Sequence, residues 1–265
     1  MIRTGLLALA FSLAAPAFAQ EIEPRTNVAE LRKEAMADPA IRSVLTDKSR
    51  PMEARLRDDG RMVELILKEA AAKPGDRVLD IASGSGYLAL LFSALVGEKG
   101  HVDIHNTPGW IAQFPSMDPD GQKARIKQPN IGWITLPWNE IDAPDNSYDL
   151  IILGQVYHDI ILESGDFETL NKRFFNMLKP GGRIVIEDHD AIPEMYLGQQ
   201  ANLHRISHGD VTGQLLRAGF RETDMILMES PYDDRRFNVF RPGVRGRTDR
   251  FIAVFEKPLD GKPLR

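Results

Sequence analysis

The chain has 265 residues, 43% hydrophobic and 27% charged, with a formal net charge of -5 and no cysteine. Length and apolar content allow one large domain or two small ones with a full core. The slightly negative charge excludes the basic footprint that nucleic-acid binding requires, and a chain without cysteine can have neither a disulfide nor a lipid-modified cysteine anchor.

Residues 1–19 combine Arg3, the apolar run Leu6 to Ala15 and the small-residue end Ala17-Phe18-Ala19. That order of charged, hydrophobic and small regions is the pattern of a secretory signal peptide, with cleavage expected after Ala19. The mature chain would begin at Gln20, periplasmic or secreted, and the loss of Arg3 would take the formal charge from -5 to -6. No other run is long and apolar enough to span a bilayer, so no stable membrane insertion is expected once the signal is removed.

Residues 20–58 read as a helical N-terminal extension, with helices expected at Val28 to Met36 and Ala40 to Leu45 around an Asp38-Pro39 stop. Met52 to Ala72 reads as one longer helix, with Met62, Leu65, Ile66 and Glu69 at helical spacing before Lys73-Pro74-Gly75-Asp76 ends it. Val78, Leu79 and Ile81 then form a buried strand, Ala82 to Gly86 a small-residue loop, and Leu88, Leu91, Phe92 and Leu95 a helical stripe. Further strands are expected at His101 to His105, Ile131 to Leu136, Arg183 to Asp188, Met225 to Met228 and Arg250 to Phe255. Helices are expected at Phe167 to Leu178 and Asp210 to Ala218, the latter ended by Gly219. Alternating strands and helices imply a mostly parallel sheet covered on both faces, with a ligand cleft at the carboxyl ends of its first strands.

The strand-loop-helix unit presents free backbone N–H groups and a helix N-terminus to a ligand. Gly84-Ser85-Gly86-Tyr87-Leu88-Ala89 can be laid on the G-x-G-x-x-G/A dinucleotide pattern, but Asp80 just before the loop would repel a pyrophosphate. A carboxylate there suits a cationic ligand end, such as the ammonium of an amino acid. Asp80-Ile-Ala-Ser-Gly84-Ser-Gly86-Tyr87 resembles the first motif, D-x-G-x-G-x-G, of class I S-adenosylmethionine-dependent methyltransferases, with Ala82 in place of one glycine. Asn146-Ser-Tyr-Asp149-Leu-Ile-Ile-Leu153 resembles that family's fourth strand, and Met177-Leu-Lys-Pro-Gly-Gly-Arg-Ile-Val-Ile-Glu187 its helix end, turn and fifth strand. The resemblance implies an α/β, Rossmann-like, seven-stranded mostly parallel sheet with helices on both faces. The domain would span residues 59–257, followed by a tail at 258–265. Donor contacts would fall on Asp80, Ala82, Ser83, Gly84, Gly86 and Tyr87. The segment Asn238 to Phe251, with Tyr157-His158-Asp159, Asp188-His189 and His204-Arg205, resembles a bacterial subgroup of exported methyltransferases.

In this family an acid at the end of the second strand commonly accepts hydrogen bonds from the donor's ribose; here His105 and Asn106 stand there. Asn106 retains an acceptor through its amide oxygen. After the third strand, Trp138 is placed either to stack on the base or to pack under a loop, and Asn139 to bond the base edge. Tyr157 is placed either to close over the donor or to fill the core, and Ile160, Ile161 and Leu162 to form a lid or an interface. The arginine-rich stretch Arg235 to Arg250, interleaved with Asp233, Asp234 and Asp249, reads as a solvated, ion-paired loop ahead of an anion site.

The fourth strand runs into Gly154-Gln155-Val156-Tyr157-His158-Asp159 and the fifth into Glu187-Asp188-His189-Asp190, so Gln155 should reach the donor and the histidines should meet above the cleft. His204, Arg205 and His208 are candidates for the same wall. Three readings fit this group. His158, Asp159, His189 and His204 serve as general base and acceptor-orienting residues, or the polar residues only cap loops, or His158, Asp159, His189 and His204 hold a metal. The resulting expectation is methyl transfer from S-adenosylmethionine to a small molecule. The alternatives are an exported binding protein without transfer activity and a metal-dependent hydrolase or lyase. Export and a donor made in the cytosol pull against each other.

Overall fold

The computed structural model describes residues 22–163 and 166–264, so the export signal expected at 1–19 lies outside the described residues. Seven strands form one sheet in the order β3-β2-β1-β4-β5-β7-β6. They are β1 Arg77–Ile81, β2 His101–His105, β3 Ile131–Ile134, β4 Tyr148–Gly154, β5 Leu178–His189, β6 Arg221–Met228 and β7 Arg250–Glu256. The first five are parallel, and β7 runs antiparallel between β5 and β6. Strands β1, β4 and β5 are near-continuous apolar runs because both faces of a parallel sheet are covered. One face packs Ile151, Leu153, Ile184 and Ile186 against α9 (Phe167–Met177) and α11 (His208–Arg217). The other packs Val78, Leu150, Ile152 and Val185 against α1 (Val28–Ala37), α2 (Pro39–Thr46), α4 (Val63–Ala70) and α5 (Tyr87–Val96).

The connections leave β1 in one direction toward β2 and resume in the other at β4, so the crevice at their carboxyl ends is the switch point where open α/β sheets bind ligands.

Several expected boundaries move. The single helix from Met52 to Ala72 is two, α3 (Met52–Arg61) and α4, because Met62 takes a left-handed φ of 48° and its N–H caps the first of them. The apolar stripe belongs to α4 alone, and the kink delivers Arg61 to the crevice. Because α3 crosses the expected 58/59 boundary, the extension and the sheet domain share an element. Asp38, read as a stop, is also the N-cap of α2, accepting from the N–H groups of Ala40 and Ile41. Strand β3 ends two residues early, ahead of Pro137, which has no N–H for a ladder. Strand β5 starts at Leu178, through the Lys179-Pro180-Gly181-Gly182 turn, and β6 starts at Arg221. Four short helices have too few turns to show a period in the sequence: α6 (Pro108–Gln113), α7 (Pro119–Arg125), α8 (Asp159–Glu163) and α10 (Leu197–Asn202).

Candidate active site

A cleft of about 810 Å³ opens at the carboxyl ends of β1 and β4. Its floor is the β1–α5 loop. Asp80, the penultimate residue of β1, is buried; it accepts a hydrogen bond from Ser83 Oγ at 2.5 Å and another from the Ala89 N–H. Burial raises its pKa to about 7 against the opposing pull of these bonds and of Arg61. Ala82, where the family motif has glycine, adopts φ 47°, a left-handed backbone that strains a residue with a Cβ. Gly84 and Gly86 have φ of 63° and 87°, and Gly86 opens α5.

The extension supplies a second wall. Tyr87 donates from its hydroxyl to Asp58 Oδ1 at 2.7 Å, and the Arg57 guanidinium lies 4.4 Å from the Tyr87 ring centre. Arg61 donates to Glu187 Oε2 at 2.7 Å while its Nε, buried, has no partner. Glu187 is fully buried and also accepts from Arg250 at 3.2 Å and from Gln155 Nε2 at 3.1 Å. Gln155 lines the cleft in a left-handed turn, φ 61°, that ends β4.

At the far end, the β4 and β5 tips converge as the sequence suggests. His158 is buried; its ring Nδ1 lies 2.8 Å from Asp188 Oδ1 and its backbone N–H donates to Asp188 Oδ2 at 3.1 Å. Its Nε2 is 3.3 Å from Asp159 Oδ1, which is 3.5 Å from His204 Nδ1. Burial works to lower the His158 pKa, but Asp188 and Asp159 outweigh it and raise it to about 10. Burial likewise works to raise Asp159, and hydrogen bonding to His158 and His204 brings it down to about 2. His189 differs from both. Its Nδ1 pairs with Thr248 Oγ1 at 2.7 Å, it lines the cleft, and burial together with the charge of His158 pushes its pKa well below the usual imidazole value. It is a neutral imidazole at neutral pH.

Some expected site residues stand elsewhere. Asn106 is buried and does not line the cleft: its Oδ1 accepts from the Gly84 N–H at 2.9 Å and its Nδ2 donates to the Gly84 carbonyl at 3.0 Å. An amide offers the donor and acceptor that a loop peptide bond needs, where a carboxylate has no donor. Trp138 is buried and gives its indole N–H to Glu163 at 2.5 Å, so it packs under the loop and does not stack in the cleft; Asn139 is exposed on a separate small depression. His105 is buried against the Leu136 carbonyl and driven down to about 4 by burial. Tyr157 fills the core, its hydroxyl bonded to Gln214 and Asn171. Ile160 is buried, and Leu162 lines the cleft. Arg205 pairs with Asp233 and His208 with Asp190, and neither Arg205 nor His208 lines the cleft. His189 lies outside the group His158, Asp159 and His204 that comes within metal-binding reach among the described residues. In the arginine-rich stretch, Asp233, Asp234 and Asp249 are taken by Arg205, Arg236 and Arg235. Arg241 and Arg245 instead lie over the Phe237 and Phe240 rings.

Other lining residues gave no motif signal. Trp110, Phe114 and Met117 come from the irregular α6 region after β2, Arg57 and Arg61 from α3, and Phe240 from the segment between β6 and β7. An aromatic and a methionine shortly after a strand tip were the available hint.

This strand order, with an acid near the tip of β1 and a glycine loop opening α5, defines a class I S-adenosylmethionine-dependent methyltransferase fold. The chain belongs to the methyltransferase domain family, whose model matches residues 72–224. It is 31% identical over 120 residues to a ubiquinone/menaquinone biosynthesis C-methyltransferase of Vibrio cholerae, 44% of this chain and 42% of that protein. It is 33% identical over 129 residues to a 2-phytyl-1,4-naphtoquinone methyltransferase of Synechococcus elongatus, 47% of this chain and 50% of that one. The chain thus spans about half the length of these curated relatives or less. Among solved structures, an S-adenosylmethionine-dependent methyltransferase from Aquifex aeolicus matches with a TM-score of 0.54 at 19% identity, covering 87% of this chain and 98% of that one. The YcgJ protein of Bacillus subtilis matches at 0.55 and 16%, covering 76% and 98%. Family membership favours the transferase reading over the binding-only and metal-dependent hydrolase or lyase readings.

Proposed function

We propose that the protein transfers the methyl group of S-adenosylmethionine to a small-molecule acceptor held between the Asp80 loop and the histidine wall. The observation that carries this is the pairing, in one cleft, of a buried acid at the β1 tip with a neutral, cleft-facing imidazole at the β5 tip. The donor's ammonium sits against Asp80, and its carboxylate meets Arg61, whose buried Nε lacks a partner, with Arg57 beside it. Trp110, Phe114 and Met117 form an apolar side for the adenine. Catalysis is chiefly in-line alignment of sulfur, methyl carbon and acceptor. His189, anchored by Thr248, accepts a proton through Nε2 from an acceptor hydroxyl.

Hydroxylated aromatic rings are the acceptor class favoured here, because the cleft that His189 lines also includes Phe240, Val239 and Leu162 and because one relative is named a C-methyltransferase of ubiquinone/menaquinone biosynthesis and another a naphtoquinone methyltransferase. We place this activity outside the cytoplasm, following the signal pattern at 1–19; N-terminal sequencing of the exported protein should begin at Gln20. The test is calorimetric titration of S-adenosylmethionine and its demethylated product into the purified protein and Asp80→Ala, followed by labelled-methyl transfer to simple hydroquinones. Binding abolished by the substitution, with label appearing in a hydroquinone, supports the reading. No donor binding by the folded wild type refutes it.

A further inference from the structure

We propose that His158, Asp159 and His204 bind one divalent transition metal ion of the zinc class, with the fourth coordination position open to the acceptor end of the cleft. The three donor atoms, His158 Nε2, Asp159 Oδ1 and His204 Nδ1, all lie within 4.8 Å of one another. The two separations that involve Asp159 Oδ1 are 3.3 and 3.5 Å. A tetrahedral ion with ligands at about 2.0–2.1 Å has ligand–ligand edges of about 3.3–3.4 Å. Charge-assisted N–H···O contacts instead settle at about 2.7–2.9 Å. The same His158 ring shows the contrast: Nδ1 meets Asp188 at 2.8 Å, whereas the Nε2 contact with Asp159, at 3.3 Å, is long for a charge-assisted hydrogen bond and matches a ligand–ligand edge.

The surroundings support a held imidazole. Asp188, fully buried, grips His158 through both the ring and the backbone N–H, which orients the ring with Nε2 toward Asp159, where an ion would replace its proton; histidine ligands commonly carry such a carboxylate behind them. His204 stands at φ 53°, a left-handed backbone unfavourable for a side chain with a Cβ, and Arg205 after it is locked by Asp233. Strain of this kind persists where neighbouring structure imposes it, often at functional sites. Two imidazoles and one carboxylate select zinc-class ions over calcium or magnesium, which prefer all-oxygen shells.

All three residues line the cleft, as does His189, whose ring centre is 6.3 Å from that of His158. His189 is therefore a neighbour of the ion and not a ligand. An acceptor hydroxyl entering the fourth position would bind through oxygen, its O–H bond breaking as the proton passes to His189 Nε2 and the electron pair stays on oxygen. This use of the ion rests on the methyl-transfer reading; the presence of the ion does not.

The test uses untagged protein dialysed against chelator and titrated with Co²⁺ and then Zn²⁺ alone, read by visible absorption and elemental analysis. One equivalent of Co²⁺ with a tetrahedral spectrum, displaced by Zn²⁺, is expected. Asp159→Asn and His204→Gln should each weaken binding about 100-fold, and Asp188→Asn about 10–100-fold. Each variant is also titrated with S-adenosylmethionine, which separates loss of the ion site from loss of the fold. Absence of stoichiometric metal from protein that still binds S-adenosylmethionine overturns the proposal, as does affinity unchanged in both ligand variants. Metal uptake without donor binding would uphold the ion site and remove the transferase reading instead.

Discussion

Donor affinity should depend on pH through Asp80. This carboxyl is buried, with Ser83 Oγ, the Ala89 N–H and the charge of Arg61 too weak to offset burial, so its pKa is raised to about 7. A raised folded-state pKa means that Asp80 favours folding most below the ordinary carboxylate range and that this contribution is lost as pH rises through about 7. Binding an ammonium requires the ionised form and reverses the preference. With a pKa of about 7, roughly 1% of the group is ionised at pH 5 and about half at pH 7, and apparent affinity scales with the competent fraction. Donor affinity should therefore rise about 50-fold from pH 5 to pH 7, equivalent to about 2.3 kcal/mol, and then flatten. Calorimetry in two buffers of different ionisation enthalpy counts the protons: nearly one released per donor at pH 5.5 and about half at pH 7. Asp80→Asn should bind weakly and without this slope. A wild-type affinity flat from pH 5 to pH 7.5, with no proton release, would refute the assignment of Asp80 to the ammonium.

Further substitutions probe separate links of the argument. Gly86→Ala places a Cβ 2.9 Å from Ile126 Cδ1 and 3.2 Å from Ile104 Cδ1 at φ 87°, and should cost about 1–3 kcal/mol in urea unfolding as well as donor affinity. Ala82→Gly relieves a left-handed φ of 47° and should leave stability unchanged or raise it by up to about 1 kcal/mol; a loss larger than that would mean the Ala82 methyl contributes packing that outweighs the backbone strain. Trp110→Ala should weaken donor binding by about 1–3 kcal/mol, whereas Trp138→Phe should lower the melting temperature and change donor affinity less than about threefold; the opposite ranking would restore Trp138 as the stacking residue. Asp233→Ala strands a fully buried Arg205 and should cost about 3–5 kcal/mol by denaturant titration.

The β1 acid and the glycine turn were legible in sequence because that unit is built by backbone. A strand, a turn of small residues and a helix start leave a fixed order of apolar, small and apolar-periodic residues, and the acid before the turn separates an ammonium site from a pyrophosphate site. Asn106 and Trp138 were harder, since an amide or an indole within four residues of a strand end has the same sequence appearance whether it faces ligand or loop. Side-chain direction there depends on the Gly84 peptide bond and on Glu163, partners 22 and 25 residues away. The kink at Met62 was invisible for a similar reason: nothing marks residue 62 as left-handed, although the turn it makes brings Arg61 to Glu187.

The histidine end of the cleft owes its shape to charge pairs that the sequence shows only as composition. Arg205 is fully buried and is held by both Asp233 oxygens, at 2.7 and 2.9 Å, and donates to the Phe237 and Asp190 carbonyls. Arg235 bridges Asp190 and Asp249, and the Asp249 N–H returns to Asp233. These contacts tie the irregular segment between β6 and β7 to the tip of β5, and that segment carries Phe240 to the His204 ring and Thr248 to His189. Because removing one partner of such a buried pair costs far more than the pair itself contributes, the network works chiefly as a positioning device. Its acids are consumed in holding the segment down, which is why Arg241 and Arg245 are left over aromatic rings and not in ion pairs. The alternation of Arg and Asp that reads as a solvated, ion-paired loop thus has three parts: Asp233, Arg235 and Asp249 in the network that holds the histidine end of the cleft, Arg236 and Asp234 in an exposed pair, and Arg241 and Arg245 on the Phe237 and Phe240 rings.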